Sequence, residues 1–339
     1  MISVIFCTHE KNFTRLYQVF RRKTNFKPCK RTKPFTSIKE SVMKVLSIDI
    51  GGTKVATAII DNNLQITKRL QFKSRNDHTP EIFEQFFTDI LSNYDSNEYD
   101  AITIGTAGII NKGIYTCLTK TSIGQLDGLP FIDLFKRISG NKPVIALNDA
   151  QAATYAEYCT AQLANMCFVT VSTGVGGGFI LNDDILIGED GRAGHIGHML
   201  IKTPSPVAQI WGNYAKVEDL ASGRAIAAAT KDWERPLTTA EVFNGQAEGD
   251  PRCDAIVKAA AEAITQMIAN IVISYDIQEF FLGGSVAYHT NFIDQVQEML
   301  NSMPEQYHAK LHRAAHGQDS VLVGAAQYYF NRGLKGYNS

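Results

Sequence analysis

The sequence feature that most constrains the fold is a polar pair between an apolar run and an alanine-rich helical pattern. Residues 143–147 are apolar, Asn148 and Asp149 follow, and an alanine-rich segment continues to Tyr158. This order predicts a β-strand followed directly by an α-helix, with the carboxylate of Asp149 at the junction. Open α/β sheets bind ligands at such strand ends. Asp149 is therefore a candidate site residue, and the alternative is a helix N-cap, a common role for Asp.

The positive charge of the chain is concentrated at its front. Residues 1–42 hold ten Lys or Arg and two Glu, whereas the remainder has 23 basic and 32 acidic residues. A nucleic-acid-binding arm and a targeting peptide are two functional interpretations of this basic leader. We favour a start codon assigned too early, with Met43 as the natural first residue, because Met43 and Lys44 directly precede the first clear strand.

Length, hydropathy and cysteine usage indicate a soluble cytoplasmic protein. The chain has 339 residues, 45% of them hydrophobic, which is enough for roughly two domains. The apolar start is too short for a signal peptide, and no uninterrupted apolar run reaches the ~18 residues of a membrane span. The six cysteines form no Cys-x-x-Cys pair, so neither a disulfide framework nor a cysteine metal site is indicated.

Two glycine-rich turns, each directly after a predicted strand, are candidates for phosphate binding. The first is Gly-Gly-Thr-Lys at 51–54, and the second is Ser-Thr-Gly-Val-Gly-Gly-Gly at 172–178. Glycines let backbone N–H groups approach an anion closely, and Asp49 is placed to hold Mg²⁺ or its water shell. Either turn alone could be an ordinary hairpin, and the Walker pattern is absent. Together they suggest a duplicated nucleotide clamp.

The remaining segments predict a mixed α/β architecture. His195 and His198, in the turn at 188–199, could ligate a metal, although a satisfied polar turn is the commoner case. Residues 109–130 are polar and rich in turns. Strands are predicted at 44–50, 55–60, 65–73, 100–105, 143–148, 166–171, 179–181 and 278–282, and helices at 80–94, 131–138, 149–158, 218–226, 251–275 and 321–329.

Five motifs, in this order and at these separations, resemble those of the ROK sugar kinases. The resemblance extends from Lys44 to about Phe330, and within the family it is strongest to the bacterial kinases of N-acetylmannosamine. The motifs are Asp-Ile-Gly-Gly-Thr-Lys at 49–54, Asn-Asp-Ala at 148–150, the second glycine turn at 172–178, Gly-His-Ile-Gly-His at 194–198 and Gly-Gly-Ser at 283–285.

The resemblance implies an actin-like fold of the hexokinase type. Two α/β domains, each with a mixed central sheet, would enclose ATP and sugar in the cleft between them. The first domain would span 43–147 and be completed by the C-terminal helix at 313–330, the second would span 148–312, and 1–42 would be the leader. Relatives are commonly dimers, so a homodimer is expected, with no nucleic-acid or membrane partner.

The resemblance also assigns site residues. Asp149 would be the general base that takes the proton of the sugar 6-hydroxyl as it attacks the γ-phosphate of ATP, and Asp49 would hold Mg²⁺. ATP and its phosphates would be bound by Asp49, Gly51, Gly52, Thr53, Lys54, Thr173, Gly174, Gly176, Gly177, Gly283 and Gly284. The sugar would be bound by Gly108, Asn148, Asp149, His195, His198 and Glu218.

The chain departs from the family pattern at two places. Where relatives bind a structural zinc through one histidine and three cysteines, Gln209, Trp211 and Lys216 replace the cysteines. None of the three can replace a thiolate, so we predict no zinc. The loop at 119–126 lacks the asparagines that touch the sugar in relatives, which leaves the exact sugar open.

Three functions are compatible with these observations. The first is an ATP-dependent kinase of N-acetylmannosamine in sialic acid catabolism, or of another hexose. The second is a sugar-binding protein without turnover. The third is a ROK transcriptional repressor, which would need a helix-turn-helix ahead of the domain; residues 1–42 lack two amphipathic helices joined by a short turn.

Overall fold

The computed structural model describes residues 42–75, 79–117, 126–203, 210–289 and 291–333. Three features discussed above lie outside these residues: the leader up to residue 41, the altered sugar loop at 119–125, and Gln209 at one of the cysteine positions.

The described residues form fourteen β-strands and nine α-helices. The strands are β1 (Lys44–Ile50), β2 (Lys54–Asp61), β3 (Ile66–Lys73), β4 (Ala101–Thr106), β5 (Ile109–Asn111), β6 (Ile114–Thr116), β7 (Val144–Asn148), β8 (Met166–Val171), β9 (Val175–Leu181), β10 (Asp184–Ile185), β11 (Leu200–Lys202), β12 (Tyr214–Lys216), β13 (Glu279–Gly283) and β14 (Lys310–Arg313). The helices are α1 (Pro80–Leu91), α2 (Phe131–Ile138), α3 (Asp149–Ala161), α4 (Glu218–Ala221), α5 (Gly223–Ala228), α6 (Thr239–Ala247), α7 (Pro251–Tyr275), α8 (Phe292–Ser302) and α9 (Ser320–Arg332). Short 3₁₀ turns occur at Ile196–His198 and Glu305–Tyr307.

The first sheet brings the two candidate aspartates to one edge. Its order is β3-β2-β1-β4-β7, with β1 antiparallel to β2 and parallel to β4, and β4 parallel to β7. In this register Asp49 is opposite Gly105, and Thr106 is opposite Asn148. Because parallel strands share their carboxyl edge, Asp49 and the start of α3 lie along the same side of the sheet.

The second sheet repeats the topology of the first. Its order is β10-β9-β8-β13-β14, with two antiparallel hairpin partners on one side of β8 and two parallel strands on the other. Each glycine turn follows the central strand of its sheet, β1 or β8. The mixed α/β fold and the internal repeat expected from the two turns are confirmed at the level of sheet topology.

The last helix packs back onto the first sheet, as predicted. The hydroxyl of Ser47 in β1 donates to the carbonyl of Leu322 in α9 at 2.7 Å. Helix α9 also crosses α3 at very close range, because a Cβ added to Gly324 would lie 1.8 Å from the carbonyl oxygen of Ala152. The division into domains and its boundaries stay a prediction.

Helix α7 is a core helix. It begins at the cap Asp250, whose side chain accepts the N–H of Arg252, and it buries residues such as Val257, Ile264 and Met267. By length and composition α7 could cross a membrane, but 61% of its apolar window is buried within the protein. Burial of this extent is typical of the core helix of a globular domain.

The structure differs from the sequence predictions at several places. Strand β9 begins at Val175, although 172–178 was predicted as a loop, because its glycines are packing positions in a strand. A small hairpin, β5–β6, occupies part of the segment predicted as turns. The strands β10, β11, β12 and β14 and the helix α6 were not predicted. The helix predicted at 218–226 is divided at Ser222, whose side chain accepts the N–H of Ala225 and starts α5.

Candidate active site

Asp149 is the first residue of α3, and Asn148 before it is the N-cap. The side chain of Asn148 accepts the N–H groups of Ala150 and Gln151, while Oε1 of Gln151 accepts the N–H of Asn148. This reciprocal arrangement is a capping box. The alternative interpretation of Asp149 as the helix cap is therefore wrong, since Asn148 has that role.

The surroundings of Asp149 suit a general base. Burial raises the pKa of its carboxyl, whereas the N–H of Ala150, which donates to Oδ1 at 2.8 Å, and then the electrostatic interaction with His195 act to lower it. Burial has the largest effect, so the net pKa of Asp149 is raised, because removal from water disfavours the charged form. A carboxylate with a raised pKa holds an abstracted proton more readily.

Asp49 shares the electrostatic environment of Asp149. Burial, and next to it the charge of Asp149, raise the pKa of Asp49 to about 7, while Lys54 opposes the rise. Smaller contributions to the pKa of Asp49 come from Asp319, which raises it, and Arg69, which lowers it, and these two side chains form an ion pair at 2.8 Å. The site edge of the first sheet therefore holds two carboxylates and one lysine within electrostatic reach of each other.

Hydrogen bonds fix the base of the first glycine turn, and its tip is exposed. The N–H of Gly51 donates to the carbonyl of Lys54 at 3.0 Å, and the hydroxyl of Ser74 donates to the carbonyl of Gly51 at 2.6 Å. Gly52 and Thr53 at the tip are exposed. The turn is thus rigid at its base and open at the positions predicted to meet phosphate.

The second glycine turn lies against the Gly283–Gly284 segment. The hydroxyls of Ser172 and Ser285 are 3.1 Å apart, and Thr173 at the tip is exposed. Gly284 has a φ of 94°, and a Cβ there would lie 2.4 Å from the carbonyl oxygen of Val171. Only glycine fits this contact, and the structure therefore places the Gly283–Gly284 segment against the strand end that leads into the turn of Thr173.

Gly176 and Gly177 lie within β9 rather than in the turn. A Cβ at Gly176 would lie 3.3 Å from that of Ala150, and a Cβ at Gly177 would lie 2.4 Å from the carbonyl oxygen of Phe168. These glycines thus have a packing role between β8, β9 and the start of α3. Their predicted role in binding phosphate stays a prediction.

Glu218 reaches the second glycine turn from the start of α4. Its Oε2 accepts the N–H of Val175 at 3.1 Å, and its Oε1 accepts Nη2 of Arg224 at 3.2 Å. Strand β12 leads directly into α4 and so fixes where this side chain begins. The structure therefore places the predicted sugar residue Glu218 beside the predicted phosphate turn.

His195 and His198 lie together on one turn that packs on β9. Their ring centroids are 6.4 Å apart, and Nδ1 of His195 is 3.1 Å from the carbonyl of Arg192, a contact that needs the proton on Nδ1. Burial lowers the pKa of both rings, and for His198 the charge of Lys216 lowers it further. Neutral rings at pH 7 leave Nε2 of His195 as an acceptor for a hydroxyl.

Asn148 and Gly108 are joined to each other by a hydrogen bond. Nδ2 of Asn148 donates to the carbonyl of Gly108 at 2.9 Å, and the side chain is 7% exposed. Gly108 has a φ of 103°, and a Cβ there would meet the ring of Tyr115. The amide of Asn148 is thus committed to backbone groups, and the contacts of Asn148 and Gly108 with sugar stay predictions.

The segment that replaces the cysteine motif is a hairpin with an aromatic pair. The rings of Trp211 and Tyr214 stack at 5.4 Å, and Lys216 lies 3.5 Å from the carboxylate of Asp219. Within the ranges that the structure covers, no group of three or more His, Cys, Asp or Glu side chains is arranged to hold a metal. An indole N–H and an ammonium offer no lone pair to Zn²⁺.

Sequence reasoning missed several residues that organise the site. Gln151 could have been found, because Asn-x-x-Gln before a helical run is a capping-box pattern. Its Nε2 also donates to the carbonyl of Ala193 at 3.1 Å and so ties α3 to the histidine turn. The pairs Arg224–Glu218 and Arg69–Asp319 had no such signal, since each depends on tertiary proximity.

Comparisons with known proteins agree with this architecture. A family model described as the ROK family matches residues 45–331. The chain is 39% identical over 289 residues to N-acetylmannosamine kinase of Haemophilus influenzae and 38% identical over 287 residues to that of Pasteurella multocida, covering 84% of this chain and 95% of each relative. The ROK hexokinase structure from Thermus thermophilus superposes with a TM-score of 0.70 at 27% identity, covering 84% of this chain and 97% of that one.

Proposed function

This chain belongs to the ROK family, and from that membership we propose that it phosphorylates N-acetylmannosamine on its 6-hydroxyl with ATP, in sialic acid catabolism. The observation that carries the proposal is the carboxylate of Asp149 at the start of α3, buried beside Asp49 at the edge that also bears the first glycine turn. The sugar is inferred from the similarity to N-acetylmannosamine kinases over 84% of the chain.

In the proposed reaction Asp149 takes the proton of the sugar 6-hydroxyl. The oxygen of that hydroxyl forms a bond to the γ-phosphorus of ATP while the bond from this phosphorus to the β–γ bridging oxygen breaks. The products are the sugar 6-phosphate, ADP and a proton first held on Asp149. The raised pKa of Asp149 favours this proton transfer, and its fixed place in the first turn of α3 supplies the orientation.

The two glycine turns are proposed to hold the phosphates of ATP. Phosphoryl transfer needs chiefly positioning and charge neutralisation. The exposed tips at Thr53 and Thr173 and the cation of Lys54 are suited to that task. Gly283 and Gly284 would flank the nucleoside, because the contact between Ser172 and Ser285 places their segment against the second turn.

Mg²⁺ is the divalent cation we propose, with Asp49 as the residue that would hold it. Burial disfavours the charged form of the Asp49 carboxylate and raises its pKa to about 7, and a nearby cation would stabilise that charged form. Asp49 therefore fits a cation-binding role. When bound, Mg²⁺ would neutralise phosphate charge. We propose that zinc is not required, since Trp211 and Lys216 cannot act as ligands and the Trp211–Tyr214 stack closes the hairpin instead.

The sugar is proposed to meet His195 and His198, of which His195 acts electrostatically on Asp149, and Glu218, which bonds the second glycine turn. We also propose that the two sheets belong to two domains, 43–147 with the helix at 313–330, and 148–312.

A cytoplasmic location is supported by four free cysteines among the described residues. A homodimer is proposed from the resemblance alone and is measurable by light scattering.

The function is tested by coupled ADP release with N-acetylmannosamine, N-acetylglucosamine, glucose and mannose. We expect the highest kcat/KM with N-acetylmannosamine, and a fall of about 10²–10⁴ in kcat for Asp149→Asn, the usual range for loss of a general base. Asp133→Asn, at a side chain that is 75% exposed, controls for the lost charge. Equal activity of wild type and Asp149→Asn would refute the base, and sugar binding without turnover by wild type would refute the kinase.

A further inference from the structure

Arg224 contacts both the predicted sugar side and the predicted phosphate side of the site. Its Nη2 donates to Oε1 of Glu218 at 3.2 Å, and its Nε donates to the backbone carbonyl of Thr173 at 3.1 Å. One guanidinium group therefore joins a residue assigned to the sugar to the exposed tip of the second glycine turn.

Glu218 makes the same connection through its other oxygen. Oε2 accepts the N–H of Val175 at 3.1 Å, and a Cβ at Gly174 would lie 2.5 Å from this oxygen. The carboxylate fills the space that a side chain at 174 would need. The turn is thus held at both ends, at the carbonyl of Thr173 by Arg224 and at the N–H of Val175 by Glu218.

The start of α5 keeps Arg224 in register with the turn. The N–H of Gly223 donates to the carbonyl of Ser172 at 2.7 Å, and Ser222 caps the helix by accepting the N–H of Ala225. The backbone next to Arg224 is therefore bonded directly to the turn. A planar guanidinium with donors in a fixed fork can then satisfy both acceptors at once.

We propose that Arg224 is a positioning residue that couples sugar binding to nucleotide binding, an inference that rests on the kinase function proposed above. A sugar bound to Glu218 further restricts this carboxylate and, through Arg224, the turn at Thr173. The nucleotide then binds a turn that has less conformational freedom left to lose. Because coupling between two sites is reciprocal, the nucleotide must tighten sugar binding by the same factor.

The coupling is measured by titration calorimetry of N-acetylmannosamine into the full chain, with and without Mg²⁺ and a non-hydrolysable ATP analogue. For wild type we expect the analogue to tighten sugar binding by about 5- to 150-fold, the usual range for coupled sites. In Arg224→Gln the factor should fall below about twofold, in keeping with loss of that coupling, while the affinity for sugar alone changes little. Arg224→Lys, which keeps the charge without the fork, should give an intermediate factor.

Arg235→Gln is the matched control. Arg235 is an exposed arginine that pairs with Glu241 at 2.8 Å, and its variant should keep the wild-type factor. An unchanged factor in Arg224→Gln would overturn the inference, even if its melting temperature fell below that of Arg235→Gln. A factor near one in wild type would overturn it as well. If wild type bound none of the four sugars of the ADP-release assay (N-acetylmannosamine, N-acetylglucosamine, glucose and mannose), that result would instead refute the proposed function, and the coupling with it.

Discussion

The carboxylates of Asp49 and Asp149 lie at one edge of the first sheet, with β4 between the two strands that carry them there. The register places Asp49 opposite Gly105 and Asn148 opposite Thr106, so a single strand separates β1 from the strand that leads to Asp149. Their proximity is visible in the pKa of Asp49, which the charge of Asp149 helps to raise to about 7. Like charges held together in this way cost stability and are typical of functional sites.

The charge of Asp49 should therefore destabilise the ligand-free protein at high pH. The pKa of Asp49 in the folded state, about 7, lies above its ordinary value of 3.8, so protonation favours folding. This stabilisation is complete below pH 4 and is lost as the pH rises through 7. Asp49→Asn, which is always neutral, should exceed wild type at pH 8 by about 2–4 kcal/mol and by much less at pH 4.

Urea unfolding without nucleotide or Mg²⁺ at the two pH values measures this difference. Asp133→Asn, which also removes one negative charge but from an exposed side chain, is the control. A stability gain of Asp49→Asn that is equal at both pH values would contradict the electrostatic explanation. The same variant should lose most kinase activity, because the residue proposed to hold Mg²⁺ is gone.

Gln151→Ala should lower both stability and turnover. The side chain of Gln151 is 1% exposed and bonds the N–H of Asn148 and the carbonyl of Ala193, so its removal leaves one buried and one partly buried backbone group without that partner. We expect a loss of about 1–3 kcal/mol in the free energy of unfolding. Since the same side chain positions the base and the histidine turn, kcat should fall too.

Gln246→Ala is the comparison for this variant, because Gln246 makes an exposed bond to Asp254 at 3.0 Å. Its effect on the free energy of unfolding should stay within about 0.5 kcal/mol. If Gln151→Ala were no more harmful than Gln246→Ala, the capping box would not contribute as described.

Gly174→Ala should raise KM for both substrates. The added methyl group would lie 2.5 Å from Oε2 of Glu218 and displace the carboxylate from the N–H of Val175. Gly317→Ala is a suitable control, since a Cβ at Gly317 meets no atom within 4 Å. Steady-state kinetics that show KM unchanged in Gly174→Ala would mean that Glu218 does not face the sugar.

The purified protein should not contain a stoichiometric zinc ion, that is, one zinc per chain. Trp211 and Lys216 occupy two of the cysteine positions of relatives and cannot bind Zn²⁺, while stacking on Tyr214 closes the hairpin. Inductively coupled plasma mass spectrometry measures the zinc content. In a second test, treatment with EDTA followed by addition of Mg²⁺ should leave the kinase activity intact. Trp211→Ala should destabilise the hairpin by about 0.5–1.5 kcal/mol, the range for an aromatic pair. One zinc per chain would refute the prediction.

Much of the site was predictable because its signals are local in the chain. The strand, polar pair and helix around Asp149 follow from hydropathy and from caps that act over three or four residues. Helices α2 and α7 match their predicted bounds, since their amphipathic patterns and flanking Pro and Gly residues are local. The order of motifs was likewise enough to identify the family.

Tertiary structure decided which of these local features meet. Asp49 and Asp149 are a hundred residues apart and adjoin because β1, β4 and β7 pair in parallel. The glycines at 176 and 177 were predicted in a loop, and the structure places them in β9, where they allow close approach to β8 and α3. Backbone contact distances of this kind cannot be inferred from composition. The link from Glu218 through Arg224 to Thr173 arises only where α4, α5 and the turn converge, because hydrogen-bond partners are chosen by distance in space rather than along the chain.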